Sequence, residues 1–282
     1  MSKYDVVIIN GTVVVPYGDP ILADIAIRDG SIAAISEKIS PAVADEVIDA
    51  KGKVVFPGAV DSHFHLGIYR ELSNDAFSET SSSLVGGATT ILRYFRTGSH
   101  YLNKSGPYHT IFPEVLDSIK GRIYTDVGFH IAIMTGEQLD EVEWLVADQG
   151  VASFKNYMFY RGINLTADST QASKYTMAEN YDLGDLYLLM KQVSKSSKTH
   201  GGNGRISLSL HCEDPDILRV GIEQARESGL DGLKAYSDAR PPLAESLAIN
   251  EATTLANATS VSYTHLRAHE TEADLVCRLL LE

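Results

Sequence analysis

From Phe56 onward the sequence alternates between apolar β runs and helical stretches, and few folds accept that order. Val60 to His65 reads as a strand and Ser73 to Val85 as a helix. After Gly86-Gly87 comes the strand Ala88 to Phe95, then a loop and a helix near Pro113 to Ile119. The strand Asp126 to Met134, a helix from Glu137 to Gln149 and the strand Val151 to Met158 follow. A long irregular stretch leads to a helix at about Leu183 to Thr199, and Gly201-Gly202-Asn203-Gly204 turns the chain into the strand Arg205 to Glu213. Strands that are near-continuous apolar runs between helices indicate a parallel sheet covered on both faces. About five βα units are present, which admits a doubly wound sheet or an incomplete (β/α)8 TIM barrel.

A dinucleotide-type doubly wound site needs a glycine-rich turn opening a helix straight after the first strand, and His63-Phe64-His65-Leu66-Gly67 is not one. Polar residues fall instead at or near the C-terminal ends of several strands, where barrels carry their chemistry: His65, Arg93, Arg96, His130, Lys155 and His211. A full barrel takes about 250 residues, whereas about 225 follow Gly58. The expected fold is therefore α/β, an unfinished barrel preceded by a β-sandwich segment. Residues 4 to 56 supply that segment: Asp5 to Ile9, an Asn10-Gly11 hairpin turn, Thr12 to Val15, then Ile25 to Arg28, Ser31 to Ile35 and Lys53 to Phe56. The expected division is 1–56 for the sandwich segment, 57–260 for the partial barrel and 261–282 for a foreign tail.

Composition narrows the partners. A formal charge of −13 opposes binding to nucleic acid or an anionic membrane, both of which select for Lys and Arg excess. A small molecule is the expected partner. Only Cys212 and Cys277 are present, and no signal-like or membrane-length apolar run occurs, so a reducing cytoplasm is expected.

The strand ending Asp61-Ser62-His63-Phe64-His65 presents two imidazoles to one side, because side chains alternate along a strand. That arrangement suits one metal ion, and it also suits two polar residues on an exposed strand face. Lys155 lies in Val151 to Tyr160, otherwise a buried strand. Its amine has three options: to snorkel, to find a counter-charge, or to become neutral and react with carbon dioxide to give an anionic carbamate ligand. His211 closes Ile206 to Leu210, as a structural imidazole or as a ligand. Three of the five strands thus point metal-compatible groups at one end.

Four motifs in order complete a pattern: Pro57 to His65, Gly86-Gly87-Ala88-Thr89-Thr90, Ser153-Phe154-Lys155 with Tyr160, and Leu210-His211-Cys212-Glu213. From about residue 4 to residue 260 the chain resembles the cyclic amidohydrolases, the group of hydantoinase, dihydropyrimidinase, allantoinase and dihydroorotase. The resemblance implies two divalent metal ions, zinc before others, and hydrolysis of a cyclic amide C–N bond by a metal-bridged hydroxide. His63 and His65 would bind one metal, Lys155 would bridge as its carbamate, His211 would bind the second, and Tyr160 would donate a hydrogen bond to the oxyanion. A homo-oligomeric full-length parent is implied in the same way.

The family also uses a second His on strand 6 and an Asp on strand 8, and neither has a clear counterpart here. The block Val261 to Glu282 resembles translated sequencing-adapter text. Its His265 and His269 mimic a zinc pair at helical spacing, and His265 falls near the expected strand-6 ligand. The chain is read as C-terminally truncated and, as written, inactive. Gly67 stands where dihydroorotase-like enzymes carry a carboxylate-binding Arg, which favours a neutral hydantoin or dihydropyrimidine ring, although Arg70, Arg93 and Arg96 lie near enough in sequence to reach the pocket. Dihydroorotase or allantoinase activity is the alternative, and a non-catalytic dihydropyrimidinase-like scaffold is the alternative of another class. Residues 161–181, with Tyr175 and Tyr181, form either a lid or a plain surface insertion.

Overall fold

The computed structural model describes residues 4–67, 70–97, 104, 106–160, 181–201, 206–229, 231–261 and 263–267, with position 160 and residues 263–267 as backbone alone. The chain divides into two compact units, Met1–Ala59 and Val60–Glu282.

The first unit is a mixed five-stranded sheet of β1 (Tyr4–Val13), β2 (Ile21–Arg28), β3 (Ser31–Ser36), β4 (Ala44–Asp49) and β5 (Val54–Val55). Its order is β3-β2-β1-β4, with β5 also pairing β1. The hairpin expected at Asn10-Gly11 does not form, because β1 runs straight through both residues. Asn10 takes a left-handed φ of 61° and the register to β2 shifts between Ile8 and Gly11, so the local irregularity makes a bulge and not a reversal. Two hydrogen bonds hold the bulge, and a close approach requires its glycine. Asn10 N donates to Asp24 Oδ1 at 2.8 Å, Asn10 Nδ2 donates to Asp49 Oδ1 at 2.9 Å, and a Cβ on Gly11 would lie 2.8 Å from Val55 Cγ2. The bulge also divides β1 between two parallel partners, β4 before it and β5 after it.

The second unit begins with β6 (Ala59–His65), α1 (Leu72–Val85), β7 (Ala88–Phe95), α2 (Tyr108–Ile119) and β8 (Asp126–Ala132). It continues with α3 (Gly136–Asp140), α4 (Val142–Ala147), β9 (Ser153–Tyr157), α5 (Leu183–His200) and β10 (Ser207–His211). Helices α6 (Pro215–Glu227), α7 (Gly232–Asp238) and α8 (Pro242–Thr259) lead to β11 (Tyr263–Arg267). The sheet order is β6-β7-β8-β9-β10-β11, and the pairs from β7 to β11 are parallel. Spatial order follows chain order with no switch point, which is barrel winding and not double winding.

The core lies between this sheet and its helices. Ile91, Phe95, Ile131, Phe154, Leu208 and Leu210 pack against Leu72 and Ala76 of α1, Ile111, Phe112 and Val115 of α2, and Leu189, Met190 and Val193 of α5. Each such side chain contributes on the order of 1.5–3 kcal/mol through its removal from water. Alanines 244, 248, 252 and 256, four residues apart on α8, are all buried. No helix among the described residues is long and apolar enough to cross a membrane.

Two local readings change. Helix α2 starts five residues before Pro113, because the buried Glu141 carboxylate accepts from Tyr108 N at 2.5 Å and His109 N at 2.8 Å and so caps its first turn. The single helix expected over Glu137 to Gln149 is two short ones, α3 and α4, that meet at this same Glu141. Within the block from Val261, read above as a foreign tail, Tyr263–Arg267 forms β11 and pairs in parallel with β10 at the sheet edge. Positions 268–282 of that block, with His269, lie outside the described residues.

Gly221 on α6 lets the helix approach the α7–α8 connection, since a Cβ there would meet the Ala239 carbonyl oxygen at 2.4 Å. Gly221→Ala is expected to lower stability by about 1–3 kcal/mol through overpacking against backbone, exceeding the ~1 kcal/mol gained in helix propensity. The urea midpoint should fall, and an unchanged or raised midpoint would contradict this packing.

Candidate functional site

Alternation along each strand sends one set of side chains toward the helices and the other to the opposite face. On β6 the second set includes His63 and His65. Their Nε2 atoms are 3.1 Å apart and their ring centroids 5.0 Å apart. At that separation one nitrogen either donates to the other or, with both protons on Nδ1, both present lone pairs to a common point, as a shared cation would require. The segment that follows is braced twice: Gly67 N donates to Asp75 Oδ2 at 2.8 Å, and Arg93 Nη2 donates to the Leu66 carbonyl at 3.2 Å. Asp75 is itself paired with Arg70 Nε at 3.0 Å, and Arg70 also reaches Glu79 at 2.9 Å.

Tyr94 is the aromatic centre of this face. Its ring lies 4.3 Å from that of His63, 5.2 Å from that of His65 and 4.6 Å from that of His130. Lys155 Nζ sits 4.6 Å from the Tyr94 centroid and 4.9 Å from the Tyr157 centroid, and the residue is only 1% exposed. Two ring faces thus border Nζ away from water, and such faces attract a cation. The register sets Lys155 level with Ala132 of β8 and Ser209 of β10. His265 is level with Ser209 by backbone register, and its side chain lies outside the description.

His211 ends β10 and its Nε2 is 2.8 Å from Glu213 Oε2. The Phe159 ring stands edge-on to the imidazole at 4.7 Å. Next to it Cys212 is fully buried, and burial pushes its thiol up to about 12 even though the Lys155 charge pulls the other way.

Of the sequence-derived site residues, the structure brings His63, His65 and Lys155 together around Tyr94, while His211 is engaged with Glu213. Tyr160 ends the short 3-10 turn Met158–Tyr160 after β9, and its side chain lies outside the description. Residues 161–180 of the expected lid, Tyr175 included, lie outside the described residues. Tyr181 is described, and its hydroxyl accepts from Tyr157 N at 3.3 Å.

Of the three arginines offered as able to reach the pocket, Arg70 and Arg93 are engaged elsewhere. Arg70 is held at α1 by Asp75 and Glu79. Arg93 shares strand parity with Ile91 and Phe95 and is buried against the Phe95 and Phe129 rings at 5.3 and 5.5 Å, in the helix-facing layer. Arg96 Nη1 donates to the Thr97 carbonyl at 3.1 Å. His130, grouped with the strand-end residues, sits two residues inside β8, donates from Nε2 to the Ser62 carbonyl at 3.0 Å and pairs through Nδ1 with Ser153 Oγ at 2.5 Å, which makes it a strand-to-strand tie.

Sequence reasoning missed Tyr94, the Asp75 brace and the Glu213 contact. Parity along β7 carried the signal for Tyr94, since it alternates with Ile91, Arg93 and Phe95. Glu213, two residues after His211, had the same kind of signal. The converging His63 and His65 nitrogens fit a divalent cation that takes imidazole ligands, and a Lys155 carbamate would add oxygen. Among the described residues no group of three or more His, Cys, Asp or Glu is close enough to hold an ion, so those two histidines alone do not complete a site.

Comparison with known proteins gives consistent relatives. The chain is 29% identical over 284 residues to a D-hydantoinase of Streptomyces coelicolor, with 95% of this chain and 54% of that one covered. It is 32% identical over 254 residues to an allantoinase of Desulfitobacterium hafniense, covering 87% of this chain and 49% of that one. The solved L-hydantoinase (dihydropyrimidinase) from Arthrobacter aurescens superimposes with a TM-score of 0.73 at 25% identity, over 94% of this chain and 53% of that chain. No family model matches. The chain spans about half the length of the relatives it matches.

With a thiol near 12, the thiolate fraction of Cys212 at pH 8 is on the order of 10⁻⁴. Iodoacetamide should therefore leave Cys212 unmodified in the folded chain and label it in urea, as read by peptide mass mapping. Labelling of the Cys212 peptide in the native chain at the rate of a free thiol would contradict this placement.

Proposed function

This chain is a relative of the cyclic amidohydrolases, and on that premise we propose that it carries the first five strands of a site that opens a cyclic amide at its C–N bond. The single observation that carries the reading is the convergence of the His63 and His65 nitrogens at 3.1 Å beside a Lys155 that is 1% exposed. Two imidazoles and a buried lysine gathered on one aromatic residue serve no packing purpose that apolar side chains would not serve better.

In this reading His63 and His65 would hold one divalent ion and His211 a second, and Lys155, as its carbamate, would supply anionic oxygen to the site. Zinc suits such nitrogen and oxygen donors. Bound there, the ions would supply the acidification of a water molecule near neutral pH. The protein's own chemistry begins at Lys155. Its neutral amine attacks the carbon of carbon dioxide, an N–C bond forms, one C=O electron pair moves onto oxygen and the amine proton leaves to water. A side chain that is a cation in water thereby becomes, after loss of one proton to give the amine and a second on carboxylation, an anion. Tyr160 donates to the oxyanion that develops on the substrate carbonyl. Balance then requires the carbonyl carbon to gain hydroxyl, the C–N bond to break and the ring nitrogen to take a proton.

The substrate best supported is a neutral ring, a hydantoin or dihydropyrimidine. Gly67 offers no side chain to a carboxylate, and Arg70 and Arg93 are committed to Asp75 and Glu79 and to the helix-facing layer. This disfavours the dihydroorotase alternative, while an allantoinase would use the same bond chemistry. A non-catalytic scaffold has no use for the joint presence of His63, His65, Lys155, His211 and Tyr160. The −13 charge supports a small-molecule partner over nucleic acid or anionic membrane. A cytoplasmic location and a homo-oligomeric parent complete the proposal. The 282-residue chain alone is proposed to be inactive, because the strand-8 Asp implied by the resemblance has no counterpart in it.

Metal analysis and intact mass test the site directly on this chain. Zinc should bind in the wild type and weaken by about 10–100-fold or more in His63→Ala and His65→Ala, the range seen when ligand shells are damaged. Lys155 should carry one added carbon dioxide in bicarbonate buffer, absent in Lys155→Ala. Zinc content equal in wild type and His63→Ala, together with an unmodified Lys155, would sink the reading. Hydantoin or dihydrouracil turnover by the 282-residue chain would refute its inactivity.

A further inference from the structure

We propose that Glu213, backed by Arg240, is a positioning residue that fixes the His211 imidazole with its proton on Nε2 and so presents Nδ1 as the nitrogen for a metal ion. The inference rests on the reading of His211 as a ligand and adds to it which nitrogen is used and what selects it.

The chemistry of the contact is one-sided. An ionised carboxylate only accepts, so Glu213 Oε2 at 2.8 Å requires Nε2 to donate. In a neutral imidazole the lone pair then resides on Nδ1. Local geometry makes the contact cheap in entropy, because residues two apart on an extended chain face the same side and no long loop has to close. The carboxylate is buried, with a side-chain exposure of 5%, and a buried carboxylate needs a counter-charge. Arg240 supplies it from the α7–α8 connection, with Nε 3.6 Å from Glu213 Oε1 as an ion pair. Its guanidinium is itself seated over the Tyr236 ring at 3.9 Å.

Two further observations point the same way. Asp214 N donates to the Ala244 carbonyl at 2.9 Å, which ties the residue after Glu213 to α8. The His211 ring is also held from a different direction by the edge-on Phe159. A carboxylate behind an imidazole, fixed by its own cation, is the arrangement by which outer contacts orient metal-binding histidines.

Long-range ¹⁵N–¹H correlation spectra of the metal-free 282-residue chain at about pH 8 read the tautomer directly. His211 should be protonated on Nε2 in the wild type and mixed in Glu213→Ala. Glu213→Gln, which keeps an acceptor oxygen at similar reach, should restore the wild-type tautomer, and urea midpoints establish that each variant folds. Zinc titration of the same proteins should show about 10–100-fold weaker binding in Glu213→Ala and partial recovery in Glu213→Gln. A wild-type His211 protonated on Nδ1, or a tautomer unmoved by Glu213→Ala, overturns the proposal. So does unchanged zinc affinity in Glu213→Ala despite a scrambled tautomer. Unchanged zinc affinity in His211→Ala overturns instead the ligand reading beneath it, and the proposal falls with that reading.

Discussion

Every placement in the barrel sheet follows from the two-residue period of a β-strand set against one apolar layer. Ile91, Phe95, Ile131, Phe154, Leu208 and Leu210 can reach the helices only if their neighbours face away from them. Tyr94, His130, Lys155, Ser209 and His211 are those neighbours. A slip of one residue in any strand would exchange the two sets, exposing groups each worth on the order of 1.5–3 kcal/mol and burying polar ones against the helices. Lys155 therefore stands where it does because Phe154 is beside it in sequence, and the polar face inherits the rigidity of the apolar one.

The loops beyond the strands are held by a second kind of contact. Asp75 and Arg93 grip the segment after His65, Glu213 with Arg240 behind it grips His211, and the fully buried Gln138 joins two connections at once. Its Oε1 accepts from Met134 N at 2.8 Å, and its Nε2 donates to Thr97 Oγ1 at 3.1 Å and to the Gly106 carbonyl at 2.8 Å. These polar groups are buried with partners, so removing one leaves its partner unsatisfied at about 1–3 kcal/mol. Order at the strand ends thus depends on hydrogen-bond completeness, whereas order in the strands depends on area removed from water.

That division also explains which features could be read from the sequence. Periodicity and composition determine strands, helices and their faces, so β7 and α5 were legible nearly to the residue, and His63 with His65 was legible as a pair. Long-range polar contacts leave no periodic trace. Nothing local to Asn10-Gly11 distinguishes a hairpin from a bulge, since the choice lies with Asp24 and Asp49 far along the chain. Glu141 breaks one helix because its carboxylate caps another, 32 and 33 residues away in sequence. Arg93 was misassigned for a different reason: its charge suggested a pocket, and its parity with Ile91 and Phe95, which places it among apolar groups, was there to be used. Tyr94 was missed because an aromatic inside an apolar run reads as core until its parity is compared with that of Lys155 and His63.

The central claim is that this shared face gathers His63, His65 and Lys155 to hold metal. Anomalous diffraction at the zinc edge, from crystals of the zinc-loaded chain grown above the imidazole titration range, tests it most directly. A peak about 2.0–2.1 Å from a ring nitrogen of both His63 and His65, with an oxygen of a carboxylated Lys155 in the same cluster, is the predicted result. Zinc bound elsewhere, or no peak between these two histidines, would contradict it.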